Sequence, residues 1–504
     1  MKIKKIQLCI WTAVLVLFYS GLFSSCQTQE KTHKKFYSPE EITELESRLA
    51  LETKEEPKSG KKTSEGTFAV FEDRESQTGR MIHLSVVILH AEGPEVKPDP
   101  LFVFAGGPGA DVTKYKAAYR NHWVRKHRDV VLVSQRGTGG DNCLDCPSAS
   151  PEDDVQSYFE PLFRAETFKK CLEELQKEYD LTQYSTCLAA DDTNEVRLAL
   201  GYGQINITGT SYGTRMALIY MRRHPETIRT AMLNGVAPLA FKNPLFHAWG
   251  FQRAMDLLLD ECSEDPECGS AFPNLRDEFD SILTRLEEKP AEVMVTHPKT
   301  HEQVSILLSR EAFVEAMRTI MYSKNREVPL LIHEASKGNY KPFAQAGLFS
   351  EWTIRNLLAT GMLLCVTCAE DLDRISEQEI IELAENTYMG SGRVRRQKAV
   401  CEFWPRSELP KDFGEPVSVD IPALILSGFL DPVTPPDWGE DAASHLPNSL
   451  HIVVPGAHGV GGECLEQIEK QFMETGSVEG LDTSCTDTLE VGEFKLKHDS
   501  EFKK

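Results

Sequence analysis

The pentapeptide Gly209-Thr-Ser-Tyr-Gly213 constrains this chain more than any other feature. It follows a strand-like run, Ile205-Asn-Ile-Thr208, and opens a helix-like run from Thr214 to Arg223. A G-x-S-x-G sequence between a strand and a helix is a nucleophile elbow. Ser211 must then sit on a strained turn with its hydroxyl above a sheet, and flanking glycines let strand and helix pass that closely. The letters alone also fit an ordinary glycine loop, so the reading depends on partners elsewhere in the chain.

Two later strand ends supply them. The apolar run Ile421 to Leu426 breaks into Gly428-Phe-Leu-Asp-Pro-Val-Thr-Pro-Pro436, which offers Asp431 as the acid. The run Leu450 to Val454 ends in Pro455-Gly-Ala-His-Gly459, which offers His458 as the base. Open α/β sheets place their sites at the carboxyl ends of strands. His458 would take the Ser211 proton, and Asp431 would orient the imidazole and stabilise its cation. Asp437 lies deeper in its loop and His451 lies within a strand, so both compete poorly. Upstream, Leu101-Phe-Val-Phe-Ala-Gly-Gly-Pro-Gly-Ala110 ends a strand in a glycine turn. The backbone N–H of Gly107, or of Gly106, would pair with that of Tyr212 around a developing oxyanion.

These elements resemble the prolyl and tripeptidyl aminopeptidase branch of the α/β-hydrolases, from about Gly66 to the C-terminus. The matching residues are the turn Gly106 to Gly109, the run Gln135-Arg-Gly-Thr-Gly139, the elbow, and the Asp431 and His458 loops. The tail from Cys464 to Cys485 also looks like the C-terminal region of tripeptidyl aminopeptidase-like (TAP-like) proteins. Ala105 and Ser134 depart from the His and Asp common at those positions; neither position supplies a triad member. The resemblance implies an α/β fold, with a mostly parallel sheet, helices on both faces and an inserted helical cap. It implies a serine hydrolase without metal or cofactor, releasing residues or short peptides from free N-termini through an acyl-enzyme. Cap carboxylates hold the substrate α-amino group in such enzymes, which makes Glu370 the candidate here. The alternatives are a carboxylesterase or lipase using the same triad, and a non-catalytic binding lipoprotein.

The N-terminus reads as an export signal. Met1 to Lys5 is basic, Ile6 to Phe18 is mostly apolar, and small residues precede Cys26. Cleavage before Cys26 with lipid on its thiol would give a bacterial lipoprotein facing the periplasm or cell exterior; an uncleaved anchor and ordinary secretion are the alternatives. Residues 27–65 read as a charged tether, with a capping box at Ser38-Pro-Glu-Glu41 marking a helical part. Residues 66–238 and 416–504 read as two parts of the hydrolase core, and residues 239–415 as the cap.

With 55 Lys and Arg against 77 Asp and Glu, the formal charge is −22. That argues against a nucleic-acid partner and favours cationic peptide ends. Of 13 cysteines, Cys9 and Cys26 belong to the leader and lipid site. The odd remainder predicts disulfides and a leftover thiol. Cys464 with Cys485 and Cys262 with Cys268 are the expected pairs, and Cys401 would bridge to Cys365 or Cys368. Cys143 with Cys146 and Cys365 with Cys368 are spaced like zinc or redox pairs, but no histidine ligand spacing accompanies them. Arg136 reads as a buried ion-pair residue bracing loops rather than a substrate ligand.

Overall fold

The computed structural model describes residues 37–498. The leader, Cys26 and the start of the tether lie outside the described residues. Among the described residues are eleven strands: β1 (Leu49–Glu55), β2 (Lys62–Phe71), β3 (Met81–Leu89), β4 (Leu101–Phe104), β5 (Val130–Val133), β6 (Ile205–Ser211), β7 (Ile228–Val236), β8 (Ala291–Thr296), β9 (Gln303–Leu308), β10 (Ala423–Gly428) and β11 (Ser449–Val454). Nine form one sheet, in the order β1-β2-β3-β5-β4-β6-β7-β10-β11. From β5 to β11 every neighbouring pair is parallel. The three opening pairings are antiparallel.

The inner parallel strands are largely buried on both faces, as their apolar sequences require, while edge strand β11 is half-exposed. Phe102, Val131 and Ile207 pack on Met216 and Tyr220 of helix Tyr212–Arg223 on one side. Leu101, Val103 and Leu132 pack on Leu465, Ile468 and Phe472 of helix Glu463–Thr475 on the other. This is the α/β-hydrolase fold.

Two expectations need correction. The charged stretch ending at residue 65 is not all tether. Pro39–Ser47 is a helix with the capping box in place, and β1 then pairs with β2 over seven residues. Its sequence, Leu49-Ala-Leu-Glu-Thr-Lys-Glu55, hides the strand because an edge strand exposes much of its surface and is protected by charge. Between β7 and β10 the chain is mainly helical, but β8 and β9 add an antiparallel hairpin. This segment has its own core, in which Phe313 stacks on Phe343 with ring centroids 4.0 Å apart.

Arg136 is fully buried and grips Asp192 with two nitrogens, at 2.6 and 2.9 Å, while also donating to the carbonyls of Glu72 and Gln183. It braces the loop after β5 from below. Disulfides join Cys146–Cys171, Cys262–Cys268, Cys368–Cys401 and Cys464–Cys485. Each closely spaced cysteine pair is thus split, leaving Cys143 and Cys365 as thiols, together with Cys187. Among the described residues no helix is long and apolar enough to cross a membrane.

Candidate active site

Ser211 ends β6 and precedes helix Tyr212–Arg223, with φ 59° and ψ −129°. A serine holds that conformation only where the surroundings over-determine it. The flanking glycines are part of that constraint. A Cβ on Gly209 would lie 2.3 Å from the Gly213 carbonyl oxygen, and one on Gly213 would lie 2.3 Å from that of Phe104. The G-x-S-x-G spacing therefore reflects backbone passing backbone at contact distance.

Asp431 leaves β10 and is completely buried. Its Oδ1 accepts from the backbone N–H groups of Val433 and Thr434 at 2.8 and 2.9 Å. Its Oδ2 lies 2.8 Å from Nδ1 of His458, on the loop after β11. Burial alone would raise this carboxyl, but the imidazole beside it and the two amides outweigh burial and hold it below its usual range. Thr434 completes the arrangement. Its Oγ1 donates to Asp431 Oδ2 at 2.9 Å and sits 3.2 Å from His458 Nδ1. The His458 ring also packs on Tyr322, with centroids 5.0 Å apart.

Ser211 and His458 line one cavity of about 270 Å³. A hydrogen bond between them is not formed in this geometry; catalytic contacts of this kind often close only on substrate binding. Gly106, Gly107 and Tyr212 line the same cavity. Tyr212 begins its helix, where unpaired amides and the positive end of the dipole suit an anion. A Cβ on Gly106 would lie 3.3 Å from that of Ser211, so the glycine turn lies against the serine. Asp437 and His451 take no part. Asp437 pairs loosely with Arg253 at 3.6 Å, and His451 contacts Ser427 within the sheet.

Glu370, expected to hold a substrate amine, does not reach the cavity. It is fully buried and lines neither cavity. One oxygen accepts from the Thr186 N–H at 2.7 Å, and the other has no hydrogen-bond partner and lies 3.7 Å from Arg215. Arg215 is committed to Asp371, with 2.9 Å to each oxygen. Burial therefore dominates, and the Glu370 carboxyl is pushed up to about 7.

A second cavity of about 520 Å³ shares Arg318, Ile354, Leu358, Leu363 and Arg393 with the first. It carries Glu351, whose Oε2 meets Arg355 at 2.7 Å while its buried Oε1 has no partner. Sequence reasoning missed Thr434, Glu351 and the two shared arginines. Thr434 left a local signal, three residues after an aspartate in a proline-rich turn; Arg318 with Glu315 and Glu351 with Arg355 have the spacing of ordinary ion pairs on a helix.

Residues 386–485 match the TAP-like protein family. Serine protease Hip1 of Mycobacterium tuberculosis is 22% identical over 457 residues, covering 83% of this chain and 86% of that protein. Tripeptidyl aminopeptidase of Streptomyces lividans is 26% identical over 175 residues, 31% of this chain and 32% of that protein. A crystal structure of proline iminopeptidase from Mycobacterium smegmatis aligns with 82% of this chain and 96% of its own at 15% identity, with a TM-score of 0.36.

Proposed function

For this α/β-hydrolase with a TAP-like C-terminal region, we propose a serine peptidase in which Ser211 is the nucleophile, His458 the general base and Asp431 its orienting acid. The observation that carries the reading is the strained Ser211 turn opening into the same cavity as the Asp431-bound imidazole. Ser211 Oγ attacks the scissile carbonyl carbon while His458 Nε2 takes its proton. The oxygen that becomes negative faces the N–H groups of Tyr212 and Gly107. Collapse expels the amine, which receives the proton from His458. Water activated by the same imidazole then releases the acyl group and restores the serine.

The substrates proposed are short peptides with a free N-terminus, in keeping with relatives named as a serine protease and a tripeptidyl aminopeptidase. A cationic amine entering a closed cavity needs a carboxylate to offset its desolvation. Glu370 is walled off. Glu351 has an unpartnered oxygen and lines the adjoining cavity, so the role passes to it. The export leader and lipid on Cys26 remain part of the proposal. Radiolabelled palmitate should enter the natural chain and not Cys26→Ala; equal labelling would contradict the anchor.

Mass spectrometry of the products from a mixed peptide library tests the activity. N-terminal fragments should be released from free-amine peptides and not from N-acetylated ones. Equal cleavage of both would overturn the exopeptidase reading. Hydrolysis of esters with no peptide cleaved would favour a carboxylesterase.

A further inference from the structure

The charge on the cavity walls is uneven. Around Ser211 the lining includes Arg215, Arg318, Arg393 and His247 and, among the described residues, contains no Asp or Glu. Arg215 is balanced by Asp371. Arg318 and Arg393 are not balanced in the same way, because both turn to one carboxylate oxygen. Glu315 Oε2 accepts from Arg393 at 2.9 Å and from Arg318 at 3.3 and 3.4 Å. The next carboxylate, Glu351, is engaged by Arg355 through Oε2 alone and keeps Oε1 for the substrate amine. The cluster thus sets Arg318, Arg355 and Arg393 against Glu315 and Glu351, one cation in excess. Arg318, Glu315 and Glu351 are each at most 9% exposed, so solvent does little to neutralise the surplus.

Unused hydrogen-bonding atoms cluster at the same place. Nε of Arg393 and Nε of Arg215 are buried without partners, as is Nδ1 of His247. His247 is held well below its usual value, first by burial and then by repulsion from Arg393 and Arg318. It is neutral at neutral pH and adds no second positive charge, yet it keeps an N–H to offer. Buried donors without acceptors and a buried uncompensated cation are both costly unless a ligand meets them.

We propose that Arg318 and Arg393 form a subsite for a substrate carboxylate beside Ser211, so that the preferred substrates carry an anionic group within reach of the scissile bond. The carboxylate is either the side chain of an acidic residue or the C-terminus of a very short peptide. The inference rests on hydrolysis at Ser211 and deepens the peptidase reading. The acidic chain as a whole, at −22, makes this cationic end a local feature of the cavity and not a reflection of overall charge.

The test compares acids with their neutral amides on the same enzyme. One pair is 4-nitrophenyl hydrogen adipate against 4-nitrophenyl adipamate. The second set is tripeptide anilides with Glu or Gln at each position. The third is free short peptides against their C-terminal amides. A charge-assisted contact of this kind predicts a kcat/KM ratio of roughly 10 to 100 in favour of the acid. That ratio should fall toward one in Arg393→Gln. Preference among the Glu anilides assigns the subsite to an acidic side chain, and preference for free peptides over their amides assigns it to the chain end. Peptides cleaved with acid and amide handled alike in every set would overturn the subsite and leave the peptidase reading intact. Preference for the anionic ester with no peptide cleaved would keep the subsite and remove the peptidase reading. A wild-type preference undiminished in both Arg393→Gln and Arg318→Gln would also overturn the assignment; the wild-type ratios stand even if a variant fails to fold.

Discussion

Glu370→Gln separates two roles for a buried acid in the same experiment. The folded chain holds this carboxyl at about 7 instead of 4.5, a difference worth roughly 3 kcal/mol between its protonation states. Because the folded value is the higher one, folding favours the neutral acid. That contribution is complete below about pH 4.5 and is lost as the pH rises through 7. Glutamine preserves the neutral shape and the acceptor for the Thr186 N–H, and it does not titrate. Urea unfolding should find the variant within about 1 kcal/mol of the natural chain at pH 5. At pH 8.5 the variant should be the more stable, by roughly 3 kcal/mol. The same variant should keep kcat/KM for free-amine peptides within a few-fold, since Glu370 is buried outside the cavity. A variant less stable than the natural chain at pH 8.5 would mean that Arg215 holds an ionised Glu370. A loss of about 100-fold confined to free-amine peptides would restore Glu370 as the amine anchor.

Thr434→Val removes the hydroxyl shared by Asp431 and His458 and leaves the two amides on Oδ1; kcat/KM should fall roughly tenfold, and full activity would deny Thr434 a positioning role. Gly235 has φ +62°, and a Cβ there would lie 3.0 Å from Thr434 Oγ1 and 3.5 Å from Asp431 Oδ2. Gly235→Ala should therefore lower kcat for peptides and esters together, and a loss on peptides alone would place the effect in substrate binding. Replacing Cys464 and Cys485 with alanine opens a loop of 21 residues' separation. It should cost roughly 3 kcal/mol by denaturant unfolding; an unchanged midpoint would mean the bridge adds nothing to stability.

The elements most legible in the sequence were those where backbone sterics demand particular residues. The elbow glycines are forced by contacts of 2.3 Å, and the buried strands read as apolar runs because both sheet faces are covered. The hairpin β8–β9 does alternate, with Val293, Val295, Ile306 and Leu308 buried, but its signal sits among long helices and was absorbed by them. Strand β1 carried too much charge to be read as a strand. Glu370 illustrates a different limit. Glu370 in Cys368-Ala-Glu-Asp371 reads as a cap carboxylate open to a substrate amine, and only Arg215 and Thr186, far away in the chain, explain its burial. Arg393 likewise meets Glu315 only through the packing of two helices, whereas Arg318 lies one turn from Glu315 on the same helix. Such pairings between distant elements leave no local pattern.

The central claim is that Ser211 does the chemistry. Its most direct test is kcat/KM of Ser211→Ala on a free-amine peptide that the natural chain cleaves, with peptide binding measured alongside. The loss should be on the order of 10⁶ with binding nearly retained, because one hydroxyl is removed from the cavity wall and nothing else moves. Retention of more than a few per cent of the activity would contradict the account and require another nucleophile.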